Sequence, residues 1–273
     1  MSGQFNIIIF SKDRGCQLDL LLRSMQRFFK CDALINVLYT WSEDSYAQGY
    51  DFTVNKHQWC GWINEHSITP QYGPGFRAWV RQLIDPGKPY TMFLVDDNVF
   101  KEPFDAATCP EMALFAERSD IACLSLRMHP GIRYCYTERR DNPPPAFGGP
   151  PYIWEWRAAI GDWKYPMSLD SHVFKTADIF PMVHSLPYAN PNWLEGHMAN
   201  HPLPHPNMMC LPKSPAMNIP ANKVQTVNGN HCGNISAKYL NDEYLAGKRI
   251  DLEPIVGFNN ISAHQEVPLT FVE

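Results

Sequence analysis

The sequence lacks a long hydrophobic run, an excess of basic charge and any C-x-x-C pair of cysteines. No stretch approaches the roughly 20 apolar residues of a membrane-spanning helix, so no membrane span is expected. The formal net charge of -5, from 23 basic and 28 acidic residues, excludes general electrostatic binding of nucleic acid and leaves only a local basic patch for such contact. The eight scattered cysteines favour reduced thiols over a disulfide scaffold in a chain of 273 residues.

Two common nucleotide-binding motifs are also missing. No G-x-G-x-x-G sequence follows the first predicted strand, which argues against a dinucleotide-binding Rossmann site. No G-x-x-x-x-G-K-[ST] sequence occurs, which argues against P-loop chemistry. Only Gly15 follows the first predicted strand, and this argues against the glycine-rich triphosphate loop of a nucleotidyltransferase.

The sequence does have the alternating pattern of an α/β protein. Residues 5–10 are short, apolar and β-branched, which predicts a buried strand. Residues 17–29 have the apolar spacing of a helix, and residues 35–40 predict a second strand. A strand, a helix and a strand in this order predict a right-handed parallel βαβ unit.

Further elements extend this pattern along the chain. Helices are predicted at 76–84, 110–118 and 176–183, and strands at 58–65 and 121–126. Hydrophobic residues make up 45% of the chain, which is enough for a sizeable core. We therefore predict a single α/β domain over 1–273, with a mostly parallel central sheet flanked by helices, an aromatic-rich insertion and a loop-rich carboxyl-terminal part.

The stretch 90–100 carries the polar residues around which the chain is organised. Four apolar residues at 92–95 predict a buried parallel strand, which Asp96, Asp97 and Asn98 follow directly. Ligands of open α/β sheets bind beyond the carboxyl ends of the strands. Adjacent carboxylate and amide oxygens suit Mg²⁺ or Mn²⁺, although Asp and Asn also favour an ordinary turn.

The first two predicted strands end at the same edge of the sheet. Residues 11–14 follow the first strand and residues 41–43 follow the second. A nucleotide is expected to bind where these two segments leave the sheet.

Residues 129–163 differ in character from the chain before them, because aromatic and arginine residues surround a zone rich in proline and glycine. Such clusters are typical of surfaces that stack on sugars or bases, but buried aromatics also fix the conformation of irregular loops. The arginines of this part of the chain could form a local basic patch. They are Arg127, Arg133, Arg139, Arg140 and Arg157.

Several motifs in order resemble a glycosyltransferase of the A fold, of bacterial or phage type. They are Ser-Lys-Asp-Arg at 11–14, Phe-Leu-Val-Asp-Asp-Asn at 93–98, Tyr-Pro-Met-Ser-Leu-Asp-Ser-His-Val-Phe at 165–174, Asn-Pro-Asn-Trp-Leu-Glu-Gly-His at 190–197, Leu-Asn-Asp-Glu-Tyr-Leu-Ala-Gly-Lys-Arg-Ile-Asp at 240–251, and a late His264. The resemblance covers most of the chain. It implies a nucleotide-sugar-binding half at 1–126 and an acceptor-side half at 127–273.

The resemblance also implies roles for individual residues. A D-x-D-like motif would hold Mn²⁺ or Mg²⁺ against a nucleotide-diphosphate sugar, with Asn98 departing from the usual third Asp. The implied metal ligands are Asp96, Asp97, Asn98 and His264. The implied donor-binding residues are Ser11, Lys12, Asp13, Arg14, Trp41, Asp96, Ser168 and His172.

The implied activity is metal-dependent transfer of the sugar to a hydroxyl acceptor with inversion. Glu195 matches the base of inverting family members, and Asp170 is a second candidate for that role. Glu195 also stands three residues after Asn192, which is the spacing of a helix capping box. Trp193 is expected to desolvate the Glu195 carboxylate and so raise its pKa.

The acceptor and the reaction class leave alternatives open. A saccharide and a hydroxymethyl-pyrimidine of phage DNA are both candidate acceptors. A sugar-phosphate nucleotidyltransferase and a non-catalytic sugar- or partner-binding module are the alternative functions. The apolar run at 5–10 is too short for a signal peptide, so a cytoplasmic location in a bacterium or a phage-infected cell is expected.

Overall fold

The computed structural model describes residues 4–67, 71, 73, 75–224 and 231–273. Its strands, in chain order, are β1 (Phe5–Lys12), β2 (Phe29–Lys30), β3 (Ala33–Thr40), β4 (Gly61–Asn64), β5 (Tyr90–Val95), β6 (Asn98–Phe100), β7 (Phe104–Asp105), β8 (Ile121–Ser125), β9 (Tyr134–Cys135), β10 (Arg140–Asp141), β11 (Tyr152–Glu155), β12 (His172–Lys175), β13 (Asn207–Cys210), β14 (Ala216–Asn218), β15 (Arg249–Ile250) and β16 (Phe271–Val272).

The α-helices are α1 (Gly15–Phe28), α2 (Asp44–Lys56), α3 (Phe76–Leu83), α4 (Pro110–Glu117), α5 (Thr176–Ser185), α6 (Pro191–Asn200) and α7 (Ala237–Leu245). Short 3₁₀ turns occur at Trp156–Ala158, Gly161–Lys164 and Glu253–Ile255. The predicted elements are present with shifted ends. Helix α2 was not predicted, because its sequence DSYAQGYDFTVNK lacks a continuous apolar stripe.

An eight-stranded sheet with the order β11-β13-β8-β12-β5-β1-β3-β4 forms the centre of the molecule. Strand β1 lies parallel to β3 and β5, β3 is parallel to β4, and β13 is parallel to β8. Strands β11 and β12 run against their neighbours. The predicted α/β class with a mostly parallel central sheet is therefore confirmed.

Both faces of this sheet are buried. Phe5, Ile7 and Ile9 of β1 belong to one hydrophobic core, and Ile8 and Phe10 belong to the other. Helices α1, α4 and α7 contribute to the first core, while α3, α5 and α6 contribute to the second. A strand buried on both faces needs apolar side chains at successive positions, which explains the continuous run that identified β1.

Strand β12 has a particular effect on the site, because it lies antiparallel between β5 and β8. Its first residue, His172, pairs with Phe93 and Ser125 near the carboxyl ends of those strands. The segment just before β12 therefore lies at the same edge as the Asp96–Asp97 turn. The two halves of the sequence, 1–126 and 127–273, share one sheet as a result.

The aromatic-rich insertion is mainly a packed structure and not an exposed recognition surface. Trp154, Trp156 and Trp163 are 4%, 6% and 0% exposed. The indole N–H of Trp154 donates to the Trp163 carbonyl, and that of Trp163 donates to the Asn142 carbonyl. These tryptophans fix the conformation of the insertion, so the stacking role considered for them is wrong. No helix among the described residues is long and apolar enough to cross a membrane.

Candidate active site

Two adjoining cavities open at the carboxyl edge of the sheet. The larger, of about 470 Å³, is lined by Phe10, Ser11, Lys12, Arg14, Leu38, Thr40, Trp41, Glu65, His66, Phe76, Val95, Asp96, Asn190, Pro191, Asn192 and Val224. The smaller, of about 160 Å³, is lined by Arg14, Val95, Asp97, Thr137, Leu169, Asp170, Pro191, Asn192, Glu195, Asn218, Asn222, His231 and His264. Four residues line both cavities, namely Arg14, Val95, Pro191 and Asn192.

The two cavities differ in chemistry. The larger one has aromatic walls from Trp41 and Phe76. The smaller one contains three carboxylates, from Asp97, Asp170 and Glu195. The cleft therefore joins an aromatic chamber to an acidic chamber, and the cation of Arg14 lies at their junction.

Asp96 holds Arg14 in that position. Its Oδ1 accepts from Arg14 Nη1 at 2.8 Å, while its Oδ2 accepts from Ser11 Oγ at 2.8 Å and from the Lys12 amide at 3.0 Å. Arg14 also donates through Nε to Asn222 Oδ1 at 2.8 Å. Both oxygens of Asp96 thus have protein donors, so Asp96 holds the arginine in place. Its role as a metal ligand stays a prediction, because each carboxylate oxygen has two lone pairs.

Asn98 does not face either of these two cavities, contrary to its predicted role as a metal ligand. It begins β6, is 1% exposed, and its Oδ1 accepts from the Val95 amide at 2.8 Å. This hydrogen bond turns the side chain back towards β5. The departure from a third Asp is explained by this local role, because a neutral amide suits a buried position beside two carboxylates.

Asp97 and Asp170 meet in the smaller cavity. Asn218 donates through Nδ2 to Asp97 Oδ1 at 3.2 Å, and His264 Nε2 lies 3.3 Å from Asp170 Oδ2. Burial and the negative charges of Asp96 and Asp170 raise the pKa of Asp97 to about 6, against the opposing charge of Arg14. Burial would raise the pKa of Asp170 as well, but the His264 hydrogen bond and the Arg127 charge outweigh it and lower this pKa to about 2.

Arg127 is the buried cation beneath these carboxylates. Its side chain is 2% exposed, and its guanidinium lies 3.5 Å from Asp170 and 3.6 Å from Asp162. This position contradicts its predicted place in an exposed basic patch. A buried arginine requires carboxylate partners. Those of Arg127 are Asp162, which belongs to the insertion, and Asp170, which lines the smaller cavity.

Glu195 lies within α6, and its carboxylate reaches the turn that precedes β12. Its Oε1 accepts from Ser168 Oγ and from the Leu169 amide, each at 3.0 Å. Burial, followed by the charge of Asp170, raises the pKa of Glu195. A carboxylate with a raised pKa at the wall of a cavity has the properties of a general base.

The two sequence-based expectations about the surroundings of Glu195 are corrected by α6. The helix is capped by Asn190, whose side chain accepts from the Trp193 amide at 3.0 Å, so Asn192 is not the cap. Trp193 is 50% exposed, and the groups that bind the Glu195 carboxylate come from residues 168–169.

The remaining predicted residues divide into lining and supporting positions. Ser11, Lys12 and Trp41 line the larger cavity. Asp13 is 6% exposed and accepts from the Ser42 amide at 2.7 Å, which ties the end of β1 to the end of β3. Ser168 is 1% exposed and its hydroxyl donates to Glu195, so it supports that residue.

The predicted role of His172 in binding the nucleotide-sugar donor is not supported by its position. It is 0% exposed inside the sheet, with Nδ1 3.2 Å from the Pro166 carbonyl and Nε2 3.5 Å from Arg127 Nε. Burial, reinforced by the nearby charge of Arg127, lowers its pKa to about 3, so the imidazole is neutral. The reason for this placement is that β12 begins at His172 and pairs there with both neighbours.

Whether the cleft can bind a divalent cation depends on which ligand atoms are available in it. No group of three or more His, Cys, Asp or Glu side chains within 4–67, 71, 73, 75–224 and 231–273 is arranged to hold a metal ion. Asp97 and His264 do line one cavity with Asn218, whose buried Oδ1 has no hydrogen-bond partner in the described part of the chain. Mg²⁺ is commonly held by one or two carboxylates with substrate phosphates, so these side chains fit a cation shared with a diphosphate.

Several residues that shape the cleft were not among the predicted site residues. Tyr50 accepts from the Arg14 amide at 3.2 Å, and Asn218 and Asn222 hold Asp97 and Arg14. These residues come from α2, β14 and the segment after β14. Their sequence neighbours carry no motif, and only the folded chain brings them to the cleft.

Comparison with known proteins places this site in context. No protein-family model matches the chain. In an alignment that covers 66% of its length, the chain is 24% identical to the bifunctional glycosyltransferase pgtA of Dictyostelium discoideum. The chain is similar to a glycosyltransferase. The predicted resemblance is thereby confirmed, while the match covers 25% of pgtA, so the chain spans about a quarter of that relative.

Several solved structures were also matched to the chain. S. aureus TarS 1–349 in complex with UDP-GlcNAc is matched with a TM-score of 0.46 and 15% identity, over 76% of this chain and 56% of that one. S. aureus TarS is matched with a TM-score of 0.45 and 12% identity over 35% of its chain. Mouse xyloside xylosyltransferase 1 is matched with a TM-score of 0.34 and 12% identity over 70% of this chain.

Proposed function

We propose that this protein is a glycosyltransferase that moves a sugar from a nucleotide-diphosphate sugar to a saccharide hydroxyl with inversion at the anomeric carbon. The observation that carries the proposal is the pair of adjoining cavities with Arg14 at their junction. The aromatic chamber suits a nucleoside, the acidic chamber suits a hydroxyl-rich sugar, and Arg14 lies where the diphosphate would join them. The similarity to pgtA supports the same reaction class.

The residues of the acidic chamber supply the chemistry. Glu195 accepts the proton of the acceptor hydroxyl. At the same time the hydroxyl oxygen bonds to the anomeric carbon, and the bond between that carbon and the diphosphate oxygen breaks. Positive charge develops on the sugar in such a transition state, and the carboxylates of Asp97 and Asp170 stabilise it. Arg14 neutralises charge on the departing diphosphate.

A divalent cation would be held by Asp97, Asn218 and His264 together with diphosphate oxygens. When bound, Mn²⁺ or Mg²⁺ supplies Lewis-acid stabilisation of the leaving group. Asp96 lies next to these residues and holds Arg14. His264 pairs with Asp170, which raises the pKa of His264 against the effect of burial. A cation binds only the neutral imidazole, so its binding to His264 would release a proton.

We favour a saccharide over DNA as the acceptor, because several of the arginine and tryptophan side chains that would contact DNA are buried or paired. Arg127 and the three tryptophans of the insertion are buried, and Arg140 is paired with Glu138. Arg133, Arg139 and Arg157 remain exposed, but the chain as a whole carries a net charge of -5. Binding of a polyanion needs several free Lys or Arg side chains on one surface.

Donor binding is the first test of this function. A screen of nucleoside diphosphates and nucleotide sugars with Mn²⁺, read as the melting temperature, should identify one nucleotide class that stabilises the protein. Ligand at 100 times its Kd stabilises the folded state by about 2.7 kcal/mol. The same nucleotide sugar should be slowly hydrolysed without acceptor.

The outcomes separate the alternatives. Binding with no turnover, with or without saccharide acceptors, would indicate a non-catalytic binding module. Synthesis of a nucleotide sugar from a nucleoside triphosphate and a sugar phosphate would indicate a nucleotidyltransferase. Absence of any nucleotide-induced stabilisation would contradict the proposed cleft.

Arg139 is expected to contribute to acceptor binding. Its guanidinium is exposed, and Nη2 lies 2.6 Å from Nδ1 of His231, which lines the acidic chamber. Replacement of Arg139 by alanine should raise the KM for acceptor by about tenfold, the loss of one hydrogen bond of a charged group, and leave the donor Kd unchanged.

The matched control for this prediction is Arg140→Ala, because Arg140 is exposed and already paired with Glu138. It should leave both constants unchanged. A larger effect of Arg140→Ala than of Arg139→Ala would contradict the assignment. A steep fall of the rate with salt would return DNA to consideration as the acceptor.

A further inference from the structure

A small internal cavity lies behind the Asp96–Asp97 turn, on the side away from the cleft. Its volume is about 10 Å³, and its lining includes Gln17 of α1 and Asn98 of β6. The rest of the wall is formed by Asp96, Asp97 and the apolar residues Leu20, Ile219, Ala221, Ile250 and Leu269. The turn thus separates this internal cavity from the proposed reaction site.

Two of the polar side chains that line this cavity, Gln17 and Asn98, have buried atoms without a hydrogen-bond partner among the described residues. Gln17 is 4% exposed, and neither its Oε1 nor its Nε2 has a hydrogen-bond partner among the described residues. Asn98 is 1% exposed, and its Nδ2 likewise has none in the described part of the chain. The orientation of Asn98 is fixed, because its Oδ1 accepts from the Val95 amide.

Buried amides with unmet hydrogen bonds are rare in folded proteins. The usual solution is an internal water, which needs a cavity of about 10–15 Å³ and two to four polar partners. The volume here matches one molecule. Asn98 presents a donor and not an oxygen to the cavity, which a water molecule can satisfy and a metal cation cannot.

We propose that one structural water occupies this cavity and bridges Gln17 to Asn98. The water accepts from Asn98 Nδ2 and donates to Gln17 Oε1. It links helix α1 to the strand that follows the Asp96–Asp97 turn. Gln17 is therefore a positioning residue, which acts through the water and the turn on Asp97 without touching substrate.

A crystal structure of the unmodified protein, at a resolution that shows ordered water, tests the site directly. We expect one water within hydrogen-bonding distance of Asn98 Nδ2 and the Gln17 amide, with or without a nucleotide bound. A cavity without density, or a Gln17 amide paired with protein atoms, overturns the proposal. This result does not depend on the proposed function.

Two variants test the positioning role, which rests on the proposed function. Gln17→Met keeps a similar shape and removes the hydrogen bonds, and we expect loss of the water and about tenfold weaker binding of nucleotide diphosphate with Mn²⁺, as for other residues that support a metal ligand. Leu20→Met, on the same wall, should keep the water and the affinity.

Equal affinity in both variants, with the water lost only from Gln17→Met, overturns the positioning role. Failure of the unmodified protein to bind any nucleotide would instead contradict the proposed function and leave the crystallographic result as the test of the water.

Discussion

Replacing Glu195 with glutamine is expected to leave a folded protein that has lost nearly all of its transfer activity. The side-chain amide keeps an oxygen that can accept from Ser168 Oγ and from the Leu169 amide, so the turn before β12 should be retained. The proton acceptor is removed, and losses of a general base typically cost about 10²–10⁴-fold in rate. The measurement is kcat for transfer, alongside the donor Kd and the melting temperature, which should barely change.

The pH dependence of the transfer rate provides a second test of the role of Glu195. Burial and the charge of Asp170 raise the pKa of Glu195, so the parent enzyme should lose activity on acidification at a higher pH than an ordinary glutamate would require. Ser168→Ala serves as the control, because it removes one hydrogen bond to the carboxylate and keeps the carboxylate itself. If Glu195→Gln retains most of the rate, the base is Asp170 or another group.

Replacing Asp97 with asparagine should have an effect of similar size by a different route. Asp97 lines the acidic chamber and holds a position where a cation shared with the diphosphate, or the developing charge on the sugar, would need a carboxylate. We expect at least a 10²-fold loss in kcat/KM and loss of the Mn²⁺-dependent part of nucleotide binding. Isothermal titration with and without Mn²⁺ measures the second effect.

Asp96→Ala is the matched comparison, one residue earlier. Arg14 and Asp96 are 9% and 4% exposed in their side chains and lie 2.8 Å apart. Removing one partner of a buried ion pair costs about 3–5 kcal/mol, so Asp96→Ala should lower the melting temperature strongly, whereas Asp97→Asn should not. An Asp97→Asn protein with full activity and Mn²⁺ binding would contradict the proposed role.

The sequence was informative where local chemistry decides structure. The apolar runs of β1, β3 and β5, each followed by polar residues, locate the ligand edge, because parallel strands end on the same side. Arg14, Asp97 and Glu195 could be selected from these junctions and from the family resemblance. The structure brings all three to one cleft.

The remaining features depend on contacts between distant parts of the chain. Arg127 and His172 look like candidate binding residues in the sequence, and both are buried because β12 enters between β5 and β8 in the reverse direction. Trp154 and Trp163 of the insertion pack on each other, and residue type alone does not distinguish such a pair from an exposed platform. Asn98 turns back to the Val95 amide, a choice that its position beside two aspartates does not reveal.

The direction of β12 has a consequence for how this protein could diversify. Between β8 and β12 the chain forms the insertion and adds the edge strand β11 to the sheet, and the Leu126 amide donates to the Ser171 carbonyl at 2.9 Å across the base of this excursion. A segment closed at its base by neighbouring strands can change length at a modest entropic cost. Its loops can therefore differ in length between relatives, provided that β11 still pairs with β13 and that Asp162 and Asp170 still meet Arg127, while β1, β3 and β5 keep the aromatic chamber unchanged.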